Sequence, residues 1–152
     1  MGNLQIQNAL ECLGCSLTNK KLPVNVVYED DFVTCILDHD PFNEGHTLIL
    51  PKKHFRYVDE FDAETASSVM KASQLLSKTI KKLYSPYGIT ICQNGGGIDE
   101  LTHYHMHVVP REENQSFKSF FSDEIWQNEH LKNRLSVTRN EMSSALKELI
   151  MS

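Results

Sequence analysis

The sequence predicts an α+β fold with about five mostly antiparallel strands, one long helix and shorter helices at both ends. Three observations carry this. Short apolar runs bounded by proline, glycine or aspartate recur over residues 24–51 and 89–111. Between them, from Asp62 onward, the apolar spacing changes to three and four residues. Late in the second group, His103, His105 and His107 alternate with Tyr104 and Met106, the period of an extended strand.

Residues 24–28 form a short β-branched run, closed by Glu29-Asp30-Asp31. A second strand, 32–37, ends at Asp38-His39-Asp40-Pro41, because proline cannot donate to a strand ladder. A third, 46–50, is entered through Gly45 and stopped by Pro51. These runs are nearly all apolar, as expected of a sheet partly covered on both faces. Asp62 suits a helix N-cap. Val69, Leu76 and Leu83, with Met70, Ser73 and Ile80 between them, form an amphipathic helix ending near Tyr84, just before Pro86 and Gly88. Strand 89–93 leads into Asn94-Gly95-Gly96-Gly97, which suits either close approach to a ligand or a plain hairpin connection. The histidine strand follows. Beyond Arg111 the chain is polar and irregular until Thr138-Arg139-Asn140-Glu141, a capping box opening a short helix through Met142, Ala145, Leu146 and Leu149.

A chain of 152 residues is most simply one domain, 1–152, with a core over about 12–111 and a tail and helix over 112–152. With 40% hydrophobic and 23% charged residues it is an ordinary globular sequence. A net charge of −5 argues against a general nucleic-acid surface, yet leaves room for a phosphorylated ligand in a local pocket. No apolar run approaches the ~20 residues that cross a bilayer. The first residues carry no secretory pattern and lack the Ser/Thr of a myristoylation signal. The expected location is the cytoplasm, with no membrane partner.

On a helix the three histidines would spread over about 200°; on a strand they share one side while Tyr104, Met106 and Val108 face a core. Adjacent imidazoles resist joint protonation, and a neutral imidazole is a nucleophile, proton carrier and metal ligand. The row therefore reads as a site. An adventitious metal tract would have no use for the interleaved apolar residues. Cys35 and Cys92 lie within apolar runs and read as buried free thiols. Cys12-Leu13-Gly14-Cys15 is a C-x-x-C with a glycine suited to a tight turn. In a reducing compartment it suggests a metal or a redox pair. With no second C-x-x-C, a tetrahedral site needs two histidines from elsewhere.

The row His103-Tyr-His105-Met-His107-Val-Val, the Gly45-His46 start of a strand ending in Pro51-Lys52-Lys53-His54, and the Gln93-Asn94-Gly95 turn together resemble the histidine triad (HIT) family. The likeness runs from about Cys12 to Arg111. It implies a HIT-like fold and a nucleotide-binding homodimer acting as a nucleotidyl hydrolase or transferase on nucleoside 5′-monophosphate derivatives. His105 matches the nucleophile that forms a nucleotidyl-histidine intermediate. His107 matches the residue that contacts the α-phosphate and supplies a proton to the leaving group, and His46 the supporting fourth histidine. Asp38 matches the carboxylate that holds the ribose, with His39 beside it; Gln93 and Asn94 fall where an amide approaches the phosphate, Gln93 better by spacing. An Asx turn is an equal reading of Asp38, His46 alone would be structural, and Lys52 and Lys53 read as solvated loop charges. A branch of the family implies a structural zinc held by Cys12, Cys15, His54 and His103. One departure stands out: Ile98-Asp99-Glu100 replaces the usual Gly-Gln-Ser/Thr, placing carboxylates where a phosphate is expected. That departure supports a rival reading, a nucleotide-binding regulatory protein with little or no catalysis. A zinc-dependent interaction module is a third.

Overall fold

Every residue of two strands, Val33–Leu37 and Thr47–Pro51, is buried, including Thr34 and Thr47, whose hydroxyls donate to the Thr18 and Gly45 carbonyls. The computed structural model describes residues 12–99, 101–122, 126 and 128–152. Its strands are β1 Val26–Glu29, β2 Val33–Leu37, β3 Thr47–Pro51, β4 Gly88–Cys92 and β5 Met106–Arg111. They form one sheet in the order β1-β2-β3-β5-β4, with every pairing antiparallel. The helices are α1 Leu13–Thr18, α2 Ala63–Tyr84, α3 Glu129–Lys132 and α4 Leu135–Met151. The expected α+β fold is the observed one.

Strand alternation divides the core between the two faces. On one side Val33, Cys35, Leu37, Ile49 and Val108 pack against Val69, Leu76 and Ile80 of α2 and Met142 and Leu146 of α4. On the other, Ile36, Leu48 and Leu50 meet Leu17 of α1, Val24 and Leu101. Fully burying each such side chain contributes about 1.5–3 kcal/mol. Residues directly opposed across antiparallel strands share a face. Leu48 opposes His107, and so does Cys92. His107 therefore lies on the face away from α2, which is where the site forms.

Helix α2 begins as the sequence indicates: the Asp62 carboxylate accepts the Thr65 N–H at 2.8 Å. It ends at Ser85 in the left-handed region (φ 44°), ahead of Pro86. Several expectations need correction. Helix α4 starts at Leu135, three residues before the capping box. Thr138 is inside the helix because its hydroxyl donates to Glu44 at 2.9 Å instead of capping. Gly14 makes no tight turn; it sits within α1. Of the two apolar-run cysteines, Cys35 is buried and Cys92 only partly so. Lys52 and Lys53 are in ion pairs with Glu29 and Asp62, both at 3.2 Å. Among the described residues no helix is long and apolar enough to cross a membrane.

Candidate functional site

The histidine row is an extended approach to β5. Thr102 turns the chain with φ 54°, Tyr104 N–H donates to the Phe55 carbonyl at 2.7 Å, and the strand proper starts at Met106. Tyr104 is buried edge-on against Phe61, so the residues on either side face the opposite way. His105 Nδ1 lies 2.9 Å from the His103 carbonyl oxygen. A carbonyl only accepts, so Nδ1 carries the proton and Nε2 keeps a free lone pair. That is the tautomer a nucleophile needs.

A chain of hydrogen bonds sets the neighbouring rings. The Phe42 N–H donates to His46 Nδ1 at 3.1 Å, which puts the His46 proton on Nε2. That Nε2–H donates to His107 Nδ1 at 2.9 Å, so His107 presents an Nε2–H. Burial holds both rings neutral: it drives His46 down to about 3, and with His46 and His105 beside it drives His107 to about 3. The Asx-turn reading of Asp38 holds, and its second oxygen is left beside His46. Its Oδ1 accepts the Asp40 N–H at 2.9 Å as an Asx turn, while Oδ2 lies 3.5 Å from His46 Nε2. Burial pushes the Asp38 carboxyl up, against the pull of the Asp40 N–H. Donor atoms of Asp38, His46 and His107 lie within 4.8 Å of one another. A metal on neutral His46 Nε2 would need the ring proton on Nδ1, where Phe42 already donates; the arrangement is a proton-fixed relay.

Behind the row, one donor atom each from Cys12, Cys15, His54 and His103 lies within 4.8 Å of the others. Cys15 Sγ is 3.3 Å from His54 Nδ1 and 3.5 Å from His103 Nδ1; Cys12 Sγ is 3.6 Å from His103 Nδ1. A tetrahedral zinc with Zn–S ~2.3 Å and Zn–N ~2.0–2.1 Å spans S–N edges of about 3.5 Å. The donors fit that ion. His103 Nε2–H donates to the Pro51 carbonyl at 2.9 Å, leaving Nδ1 free for a metal. Without an ion, burial and then the adjacent Cys12 push the Cys15 thiol up to about 12. A divalent cation would relieve that by favouring both thiolates. Gly14 is required by close approach: a Cβ there would lie 2.3 Å from His103 Cβ and 2.4 Å from Cγ. Gly14→Ala is expected to destabilise the fold by about 1–3 kcal/mol, read by denaturant unfolding, and to lower zinc content because it displaces a ligand ring.

The other expected residues are placed as follows. His39 is almost fully exposed, its Nδ1 3.8 Å from Asp38 Oδ1, outside the buried group. Gln93 and Asn94 follow Cys92, the partner of His107, and the Gln93 amide donates to the Asn94 carbonyl at 2.6 Å. Asp99 does not confront a phosphate as a bare charge. Arg56 Nη2 sits 3.3 Å from its Oδ1 and also donates to the Gly96 carbonyl at 2.9 Å. Glu100 lies outside the described residues. Sequence reasoning missed Arg56, the Phe42 N–H, and the rings of Phe120 and Trp126 beside His46 and His107. An aromatic cluster in an otherwise polar tail was the available signal.

A five-stranded antiparallel sheet bearing a histidine triad beside a fourth buried histidine defines a HIT-type protein. The HIT domain model matches residues 19–114, and the chain belongs to that family. It is 38% identical to an uncharacterized HIT-like protein of Methanocaldococcus jannaschii over 104 residues, covering 67% of this chain and 80% of that one. It is 29% identical to adenylylsulfatase HINT3 of Arabidopsis thaliana over 80% of this chain and 59% of that protein. A crystal structure of a zinc-bound histidine triad family protein from Mycobacterium smegmatis superposes with TM-score 0.75 at 25% identity, covering 94% of this chain and 98% of that one.

Proposed function

We propose that the chain is a nucleotidyl hydrolase or transferase acting on a nucleoside 5′-monophosphate joined to a leaving group. The observation that carries this is the His105 tautomer: Nδ1–H held by the His103 carbonyl at 2.9 Å leaves Nε2 as the nucleophilic atom. In this reading Nε2 attacks the α-phosphorus, the bond to the leaving group breaks as that group takes up a proton from water, and a nucleotidyl-His105 forms. Water or another acceptor then attacks phosphorus and restores the ring. His107 Nε2–H donates to an α-phosphate oxygen; because burial keeps the ring neutral, hydrogen bonding suits it better than proton loss. His46 supports His107, Asp38 takes the ribose hydroxyls, and Gln93 or Asn94 approaches the phosphate, with His39 at the exposed side of Asp38.

The zinc assigned to Cys12, Cys15, His54 and His103 is structural. With four protein ligands it would leave no open position and would tie α1 to the catalytic segment. The chain works as one cytoplasmic HIT-like domain, and as a homodimer; edge strand β4 leaves Ile91 and nearby Tyr87 exposed for a second copy to cover. The rival, binding with little catalysis, drew its support from uncompensated carboxylates, and the Arg56 pairing removes Asp99 from that argument. The kinship with an adenylylsulfatase also favours catalysis.

The test pairs calorimetry with AMP against a turnover assay on adenosine 5′-phosphoramidate. Binding together with AMP release is expected. Binding without release would transfer the case to the rival, and neither would end both.

A further inference from the structure

Beyond the triad, the described part of the segment after β5 lies over the relay. Its near end is fixed where Asn43 Nδ2 donates to the Gln115 side chain and to the Pro110 carbonyl, both at 2.7 Å, and Gln115 Nε2 returns a bond to Asn43 Oδ1 at 3.2 Å. Its far end is fixed where Asn128 Nδ2 donates to the carbonyls of Pro41 (3.1 Å) and Phe42 (2.9 Å). Both anchors grip the 41–43 turn whose Phe42 N–H sets the His46 tautomer. Between them Phe120 lies edge-on to His107 at 5.3 Å and tilted over His46 at 5.8 Å. Trp126 stacks on Phe120 (5.5 Å, 26°) and reaches both Phe42 and His46. The Trp126 indole N–H is held by the Ser119 carbonyl at 3.2 Å.

We propose that Phe120, backed by Trp126, is a positioning residue of the site: its ring excludes water from the His46–His107 pair and so keeps both imidazoles neutral, with His107 presenting Nε2–H. A phenyl ring offers neither of them a lone-pair acceptor, and apolar cover penalises the charged form. Protonation of His107 at Nδ1 would set two N–H groups against each other across 2.9 Å and break the relay. Among the described residues, the titratable groups facing the pair are Asp38 and Asp40 after β2, Cys92 on β4 and His105 on the same segment. Asp38 favours the charged form of His107 and Asp40 that of His46; without cover their pull meets less opposition. The inference rests on the role proposed for the relay, but its readout needs no turnover, so the two can fail separately.

The experiment is an NMR titration of the histidine ring signals in the parent, Phe120→Ala and Phe120→Leu proteins. The parent pair is expected to stay neutral to near pH 3. In Phe120→Ala the His107 midpoint should rise by at least ~1 unit, a tenfold gain in proton affinity, while Phe120→Leu, which keeps apolar cover, stays near the parent. Should Phe120→Ala fail to fold, Trp126→Ala, which removes the supporting ring, should raise the midpoint in the same direction. Unchanged titration in the folded variant, or a rise in Phe120→Leu equal to that in Phe120→Ala, overturns the proposal.

Discussion

His105→Ala is expected to lower kcat/KM on adenosine 5′-phosphoramidate by at least ~10³-fold, because the proposed covalent route loses its nucleophile. The fold should survive. The substitution leaves the His103 carbonyl without its ring donor, a loss of about 1 kcal/mol against a stability of about 5–15 kcal/mol. His107, His46 and Asp38 are held by Phe42, Asp40 and one another rather than by His105. AMP affinity, read by calorimetry, should therefore change far less than turnover. Turnover in the variant within tenfold of the parent would remove His105 from the mechanism.

The second large effect concerns stability. Elemental analysis should find one zinc per chain, and chelation or Cys15→Ser should release it. An ion present at a thousand times its dissociation constant contributes about 4 kcal/mol to the folded state. For a chain of this size that lowers the melting temperature by roughly 8–16 °C. The reason is local. Helix α1 is only Leu13–Thr18, and it reaches the histidine row through the Cys12, Cys15, His54 and His103 cluster. At a temperature where the zinc-free protein stays folded, kcat should change less than stability does, since His105 and His107 lie outside the ligand set. A metal-free protein with unaltered melting after chelation would contradict the assignment.

The parts legible in the sequence are those with local causes. Helix α2 was readable at both ends, from the Asp62 cap to Pro86, because caps and breakers act within a turn or two. The strands were readable because their apolar runs are short and bounded: β2 ends before Asp38, and β3 ends with Pro51 as its last paired residue, one beyond the expected 46–50. Of the site, the alternating row His103, His105 and His107 and the Cys12–Cys15 pair stood out by spacing, whereas Asp38, His46 and His54 were marked only by the family resemblance. What was not visible depends on distant partners or backbone groups. Thr138 completes no cap because Glu44, 94 positions away, takes its hydroxyl. Gly14 answers to the ring of His103, not to a turn. The His46 tautomer is decided by a backbone N–H, which no residue type announces. Arg56 matters through Asp99, 43 positions on, and the Phe120–Trp126 pair through a fold that returns the tail to β3 and β5.

The most direct measurement is rapid-quench mass spectrometry on the parent protein mixed with adenosine 5′-phosphoramidate, followed by peptide mapping. A transient adenylyl group on the peptide holding His105, absent from His103 and His107 and absent in His105→Ala, is the predicted result. Steady turnover with no adduct at any quench time, or an adduct on a different residue, would contradict the account.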